Sequence, residues 1–245
     1  MAQPMPTKLA VMTRVNAALL QTDLSTAQVW NPFTSITEGG DPSGFLGTPG
    51  TDPRVPQVID DATTFASLST IKKSTWEATA RHNNLISKDA GPEAFDQPVF
   101  EKLRLVLKLS YLKRGAESVR KFPGGNCTMF TCAAIGFLAE NLGLLAPGTR
   151  IELFRYTDGQ SGHAFAVADR VPGDANVTAG WGASCYVIDP WYARHRLQAP
   201  GTNPVKDLTA GTAFYEQAYV KFLNDAKSRI SQVTFTYDEL RDAFS

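Results

Sequence analysis

Cysteine and histidine are both scarce in this chain of 245 residues, with three of each: Cys127, Cys132 and Cys185, and His82, His163 and His195. An odd, sparse cysteine set builds no disulfide framework, so all three are read as reduced thiols. No Cys-x-x-Cys or His-x-x-x-His spacing occurs, and five residues along a helix put Cys127 and Cys132 on different faces. No metal site is expected, and no cofactor. An excess of either charge is also lacking: Lys plus Arg number 24, and Asp plus Glu number 24. A neutral balance excludes the electrostatic footprint of a nucleic-acid or anionic-membrane partner. The nearest thing to a basic patch, Lys72-Lys73, reads as a solvated surface pair. No apolar run reaches the about 18 residues of a membrane span. Near the N-terminus, Lys8 precedes Leu9, Ala10, Val11 and Met12, but Thr13 and Arg14 end the run too early for a signal peptide. The expected location is the cytosol, or outside the cell by a route that needs no such signal. Nothing in the pattern assigns an oligomeric state.

What the chain does have is ordinary globular composition, 43% apolar and 20% charged. Leu9, Met12, Val15 and Leu19 repeat at helical spacing, which predicts a docking helix over 8–20. Residues 30–57 hold Pro32, Gly39, Gly40, Pro42, Gly44, Gly47, Pro49, Gly50, Pro53 and Pro56. That density of chain breakers excludes a regular helix and marks a long loop. The expected division is an N-terminal helix plus loop, 1–57, and a catalytic domain, 58–245. One or two helices are expected within 58–86. Asp96 and Pro98 signal the start of another, with Phe100, Leu103, Leu107 and Tyr111 on one face. A Pro-Gly-Gly turn at 123–125 then leads into Phe130, Ala134, Phe137, Leu138 and Leu142. Their offsets predict a helix that starts at Asn126 or Cys127 and is capped by Gly143. Three β-like runs follow, Arg150 to Tyr156, His163 to Ala168 and Ser184 to Ile188, the last two joined as a hairpin. Residues 212–228 and 237–244 read as helices. Helices, then antiparallel strands, then helices make an α+β fold.

The chemistry gathers on three residues. A thiol attacks a carbonyl as its thiolate, which a helix N-terminus and a nearby imidazolium both favour. Cys127 follows Gly124-Gly125-Asn126 at a predicted helix start. Its own N–H is one of the donors a helix leaves unpaired, suited to an oxyanion. The small Gly125 admits a substrate to the backbone, and Asn126 offers a second donor through its side chain. Cys132, inside the helix, and Cys185, inside a strand, read as core residues. His163 opens a strand after Ser161-Gly162, where its ring is held rigidly as a general base. His82 lies on a polar helix surface, and His195 in an Arg-rich loop. The imidazole needs a third group to fix its tautomer. Asp189 ends the next strand, which an antiparallel pairing brings beside His163. Asp169 lies six residues further along the histidine's own strand, roughly 20 Å away. Asp158 stays open as a rival. Trp191 either shields the His–Asp pair from water or packs in the core.

Cysteine on a helix N-terminus, histidine on a strand and aspartate on the following strand is an order that resembles the papain-like and transglutaminase-like superfamily. The segments Gly-Gly-Asn-Cys127, Gly-His163-Ala-Phe-Ala-Val and Val-Ile-Asp189-Pro-Trp look like those of bacterial effector and toxin members. Those include cysteine proteases delivered into host cells and glutamine deamidases. Arylamine acyltransferases share the triad, but most of their surrounding pattern is missing. The resemblance spans 121–195, and the first 95 residues resemble nothing in these families. It implies a papain-like core and a hydrolase or thiol protease acting on a protein substrate through a Cys127-His163-Asp189 triad. A virulence role follows from the same likeness. If an amine intercepts the thioester, the activity is that of a transglutaminase. One departure stands out: papain-like proteases place an oxyanion glutamine six residues before the cysteine, and here that residue is Lys121. A catalytically silent binding module is the alternative that this departure favours.

Overall fold

The computed structural model describes residues 6–25, 27–29, 64–121, 124–157, 162–197, 203–207 and 228–244. The Gly/Pro-rich loop of 30–57, Asp158 and the expected helix at 212–228 lie outside these residues, apart from Ser228.

The architecture is α+β. Five strands form one antiparallel sheet: β3 (Arg150–Thr157), β4 (Gly162–Ala168), β5 (Tyr186–Ile188), β6 (Val205–Lys206) and β7 (Ser228–Thr236), in the spatial order β6-β5-β4-β3-β7. β3 and β4 are a hairpin with Tyr156 opposite His163 and Ile151 opposite Ala168. β5 runs back along β4 with Ile188 opposite Ala166. Strand alternation sorts the side chains between two faces. Leu153, Ala166, Ala168 and Ile188 face one way into the main core, whereas Phe154, Phe165, Val167 and Val187 face the other into a smaller cluster closed by Trp181. β7 lies within a stretch expected to lead from one helix to another. Val233 and Phe235 are buried at period-two spacing there, and nine residues along one edge of β3 outweigh any local helical preference.

Helix α4 (Cys127–Glu140) lies on the first face, and nearly all of it is buried. It ends with Asn141 as its C-cap rather than at Gly143, which falls in a short 3-10 turn over Leu142–Leu144. α3 (Gln97–Lys121) packs along α4. A Cβ at Gly136 would stand 3.1 Å from Ala116 Cβ, so small residues set the close approach of the two helices. The expected start of α3 holds: Asp96 Oδ1 accepts from Val99 N–H at 3.0 Å. Its first half, with Phe100, Leu103 and Leu107, forms a separate cluster with Trp76 and Ala80 of α2 (Thr70–His82) and with Phe95. Its second half belongs to the main core.

α1 (Lys8–Leu19) docks through Met12, Val15 and Leu19 of the expected face, with Val11 in place of Leu9, which is exposed. It lies in the same core as α4, so no break in packing separates it from the residues beyond 57. Asn16 both donates to Val205 O and accepts from Val205 N–H, and Lys8 pairs with Asp207. The chain then forms β1 (Gln28–Val29), which pairs in parallel with β2 (Gly124–Gly125). The Gly-Gly pair is therefore a strand rather than a turn, and the N-terminal region reaches the residues just before Cys127. α5 (Pro190–Leu197) and α6 (Tyr237–Phe244) complete the fold. His195 lies in α5 and not in a loop. Among the described residues no helix is long and apolar enough to cross a membrane.

Candidate active site

Cys127 is the first residue of α4, and Asn126 is its N-cap. Asn126 Oδ1 accepts from Met129 N–H at 3.1 Å. The side chain expected to meet an oxyanion is thus anchored by its oxygen to the helix start. The N–H groups of Cys127 and Thr128 have no partner within the helix, as at any helix start. Gly125 is buried, and a Cβ there would stand 3.0 Å from Met129 Cβ and 3.3 Å from its sulfur. Only glycine lets β2 approach α4 this closely.

His163 and Asp189 are 3% and 1% exposed. His163 Nε2 lies 2.7 Å from Asp189 Oδ2. With that nitrogen donating to the carboxylate, Nδ1 is left for the thiol, and the Cys127 sulfur and the His163 ring are hydrogen-bond partners. The backbone N–H of Ala164 also donates to the sulfur. Cys127 as a residue is only partly buried, in contrast to Cys132 and Cys185.

Asp189 is fixed by the start of α5. Its Oδ1 accepts from Tyr192 N–H at 2.9 Å, and Pro190 follows it at the first helical position. Trp191 packs its ring 5.0 Å from the His163 ring, and Phe165 stacks on that ring at 5.9 Å. Trp191 therefore covers the imidazole and also packs against both clusters of the sheet.

Burial raises the cost of a thiolate at Cys127, yet the hydrogen bond and charge of His163 and the Ala164 N–H lower its pKa below the ordinary thiol value. Burial opposes charge on His163 too, but the Asp189 carboxylate and the sulfur raise its pKa to about 10. The other two thiols behave differently. Burial alone pushes Cys132 to about 12, and burial also takes Cys185 to about 12.

The rivals are placed elsewhere. Asp169 lies past the far end of β4 from His163, at a positive φ of 53°, and accepts from Arg150 N–H at 3.2 Å. It fixes the chain where β4 ends. His82 is the last residue of α2. Lys121 ends α3 and is exposed. Reading the sequence missed Tyr111 of α3, on whose hydroxyl Cys127, Arg155 and Arg114 all act electrostatically. Alternation from Leu153 already pointed Arg155 toward the helix face, but the pairing of β3 with β4 was needed to locate it.

Comparison with family models, with curated proteins and with solved structures yields no match for this chain.

Proposed function

We propose that this protein is a cysteine-nucleophile hydrolase that attacks an amide bond of a protein substrate, either in the backbone or in a Gln or Asn side chain. The observation that carries this reading is the hydrogen-bonded line from Asp189 through His163 to Cys127 at a helix N-terminus. Core packing alone has no use for a carboxylate, an imidazole and a thiol in a row, two of them almost wholly buried. The likeness of the three segments to papain-like enzymes supports the same reading.

The thiol gives its proton to His163, and the thiolate attacks the carbonyl carbon. A C–S bond forms, and the carbonyl electron pair moves onto oxygen. The Cys127 N–H and the positive end of the α4 dipole stabilise that oxyanion. The imidazolium protonates the departing nitrogen, the C–N bond breaks, and a thioester remains. His163 then takes a proton from water, hydroxide adds to the thioester, and the C–S bond breaks to release the acid. Asp189 holds the ring in one tautomer throughout.

The test is the pH dependence of Cys127 alkylation by iodoacetamide, read by peptide mapping, in the parent and in His163→Ala. The reactive form exists above the lowered thiol pKa, so the rate should rise well below the free-thiol value of about 8.5. Removing His163 should move that rise upward. An ordinary pKa indifferent to His163 would overturn the proposal and leave a binding role for the fold.

A further inference from the structure

Gly124 and Gly125 form β2, which leads directly into Asn126 and Cys127, and both glycines are buried. β1 pairs with this strand, Gln28 opposite Gly124 and Val29 opposite Gly125. An extended peptide docks by adding a strand to a free backbone edge. Beside this nucleophile the chain's own N-terminal region already takes that edge.

β1 is a fixed wall rather than a detachable strap. The 3-10 turn before it, Asp23–Ser25, lies against both α4 and α5, and β1 itself lies against α5. Leu24 and Ala27 are 5% and 2% exposed and belong to the core that holds α1 and α4. The Ala27 N–H donates to Asp23 O at 2.8 Å, which fixes the approach to β1. Lifting the segment off Gly124-Gly125 would bring both apolar side chains into water, so the closed arrangement is part of the fold.

The other sides of the site are enclosed too. Ala164, whose N–H meets the sulfur, is buried with His163 and Asp189. Trp191 covers the imidazole. Burial is the largest single influence on the Cys127 thiol. Asn126, Cys127, Thr128 and Trp191 are partly exposed and form the described part of the rim.

The two kinds of amide make different demands on such a site. A main-chain amide carries polypeptide on both sides and needs a groove that runs past the nucleophile. The carboxamide of glutamine stands at the tip of an unbranched stem, so the main chain can stay outside while the amide reaches the sulfur.

We propose that the site admits the side-chain carboxamide of a protein glutamine end-on and excludes a main chain running through it, so that the reaction is deamidation. The proposal rests on the hydrolase reading above and chooses between its two amides. The thiolate attacks the side-chain carbonyl carbon and a C–S bond forms. The C–N bond breaks, and ammonia leaves with the imidazolium proton. Water then gives its proton to His163 and hydroxide to the acyl carbon. The C–S bond breaks, leaving a glutamic acid side chain and the restored ion pair.

Two diazomethyl ketones carry the same reactive group in different places, and each forms a thioether with the thiol and loses dinitrogen. In benzyloxycarbonyl-Phe-Ala-diazomethyl ketone the group ends a main chain. In a dipeptide of 6-diazo-5-oxo-norleucine and glycine, blocked at both ends, it replaces the carboxamide of a glutamine side chain. Their rate constants at Cys127 are measured by peptide mapping, each relative to diazoacetone. The side-chain probe should react about tenfold faster than the main-chain probe. Equal rates, whether or not they exceed that of diazoacetone, or a faster main-chain probe would overturn the proposal. Val29→Pro, checked by a thermal melt, removes an N–H from β1, and the side-chain probe should remain the faster in it. A main-chain probe that overtakes only in Val29→Pro would make β1 a latch over a protease groove and would also overturn it. The hydrolase reading fails on a different result, a thiol indifferent to His163, whatever the order of the probes.

Discussion

Asp189 accepts from the Tyr192 N–H through one oxygen and from His163 through the other. These two roles separate by substitution. Asp189→Asn keeps an acceptor for the helix cap but removes the charge that raises the His163 pKa. The pKa should therefore drop from about 10 toward the ordinary histidine value, followed by NMR of the imidazole Cε1–H against pH. Since the imidazolium persists only below that pKa, the range in which thiolate and imidazolium coexist should narrow from its alkaline side. Asp189→Ala loses the cap as well and should cost a further ~1–2 kcal/mol in denaturant unfolding. If both variants left the histidine titration unchanged, the pair would have no electrostatic role.

At the scale of elements, the contact of β2 with α4 decides where the nucleophile stands. Gly125→Ala puts a methyl 3.0 Å from Met129 Cβ and 3.3 Å from its sulfur, and the Met129 side chain is wholly buried. The cost should be about 1–3 kcal/mol, the usual range for overpacking, with slower alkylation of Cys127 at pH 7 as the helix start shifts. Met129→Ala should relieve part of it in the double variant, and its failure to do so would assign the cost to backbone strain instead. The order of α4 and of the antiparallel β4–β5 pair was legible from hydrophobic period and from Gly, Asn and Asp punctuation. β7 was not, because Val233 and Phe235 give too short an alternation to stand alone. α5 was missed although Asp189-Pro190 is a helix-start signal, since the same Asp also ends a strand.

At the scale of the molecule, one core joins regions far apart in sequence. Leu19 of α1 is 2% exposed and lies in the same buried cluster as Leu138 of α4 and Ile188 of β5. Leu19→Ala should cost about 2–4 kcal/mol and shift a single unfolding transition. Circular dichroism melts, paired with the temperature at which Cys132 and Cys185 become reactive, check this. If residues 1–57 were a separable unit, the variant would leave the exposure of those two thiols unchanged. Across the sheet, Arg170 and Glu152 form a buried two-contact ion pair, 2.9 Å at each contact. The loop between β4 and β5 is tied down by it over the second cluster.

By itself the sequence determined the α+β class, the docking face of α1, the start of α4 at the Asn-Cys step and the three chemically distinct residues. Each of these is local: it depends on periodicity, capping and turn chemistry within about a dozen residues. Only the tertiary structure decided that the expected His163–Asp189 pair closes to 2.7 Å and that β1 lies beside Gly124-Gly125. It also decided that α1 shares the nucleophile's core. Those are matters of strand register and helix packing, in which residues tens of positions apart come together. Local pattern cannot encode that, because the free energy that chooses the pairing is the burial of the whole core.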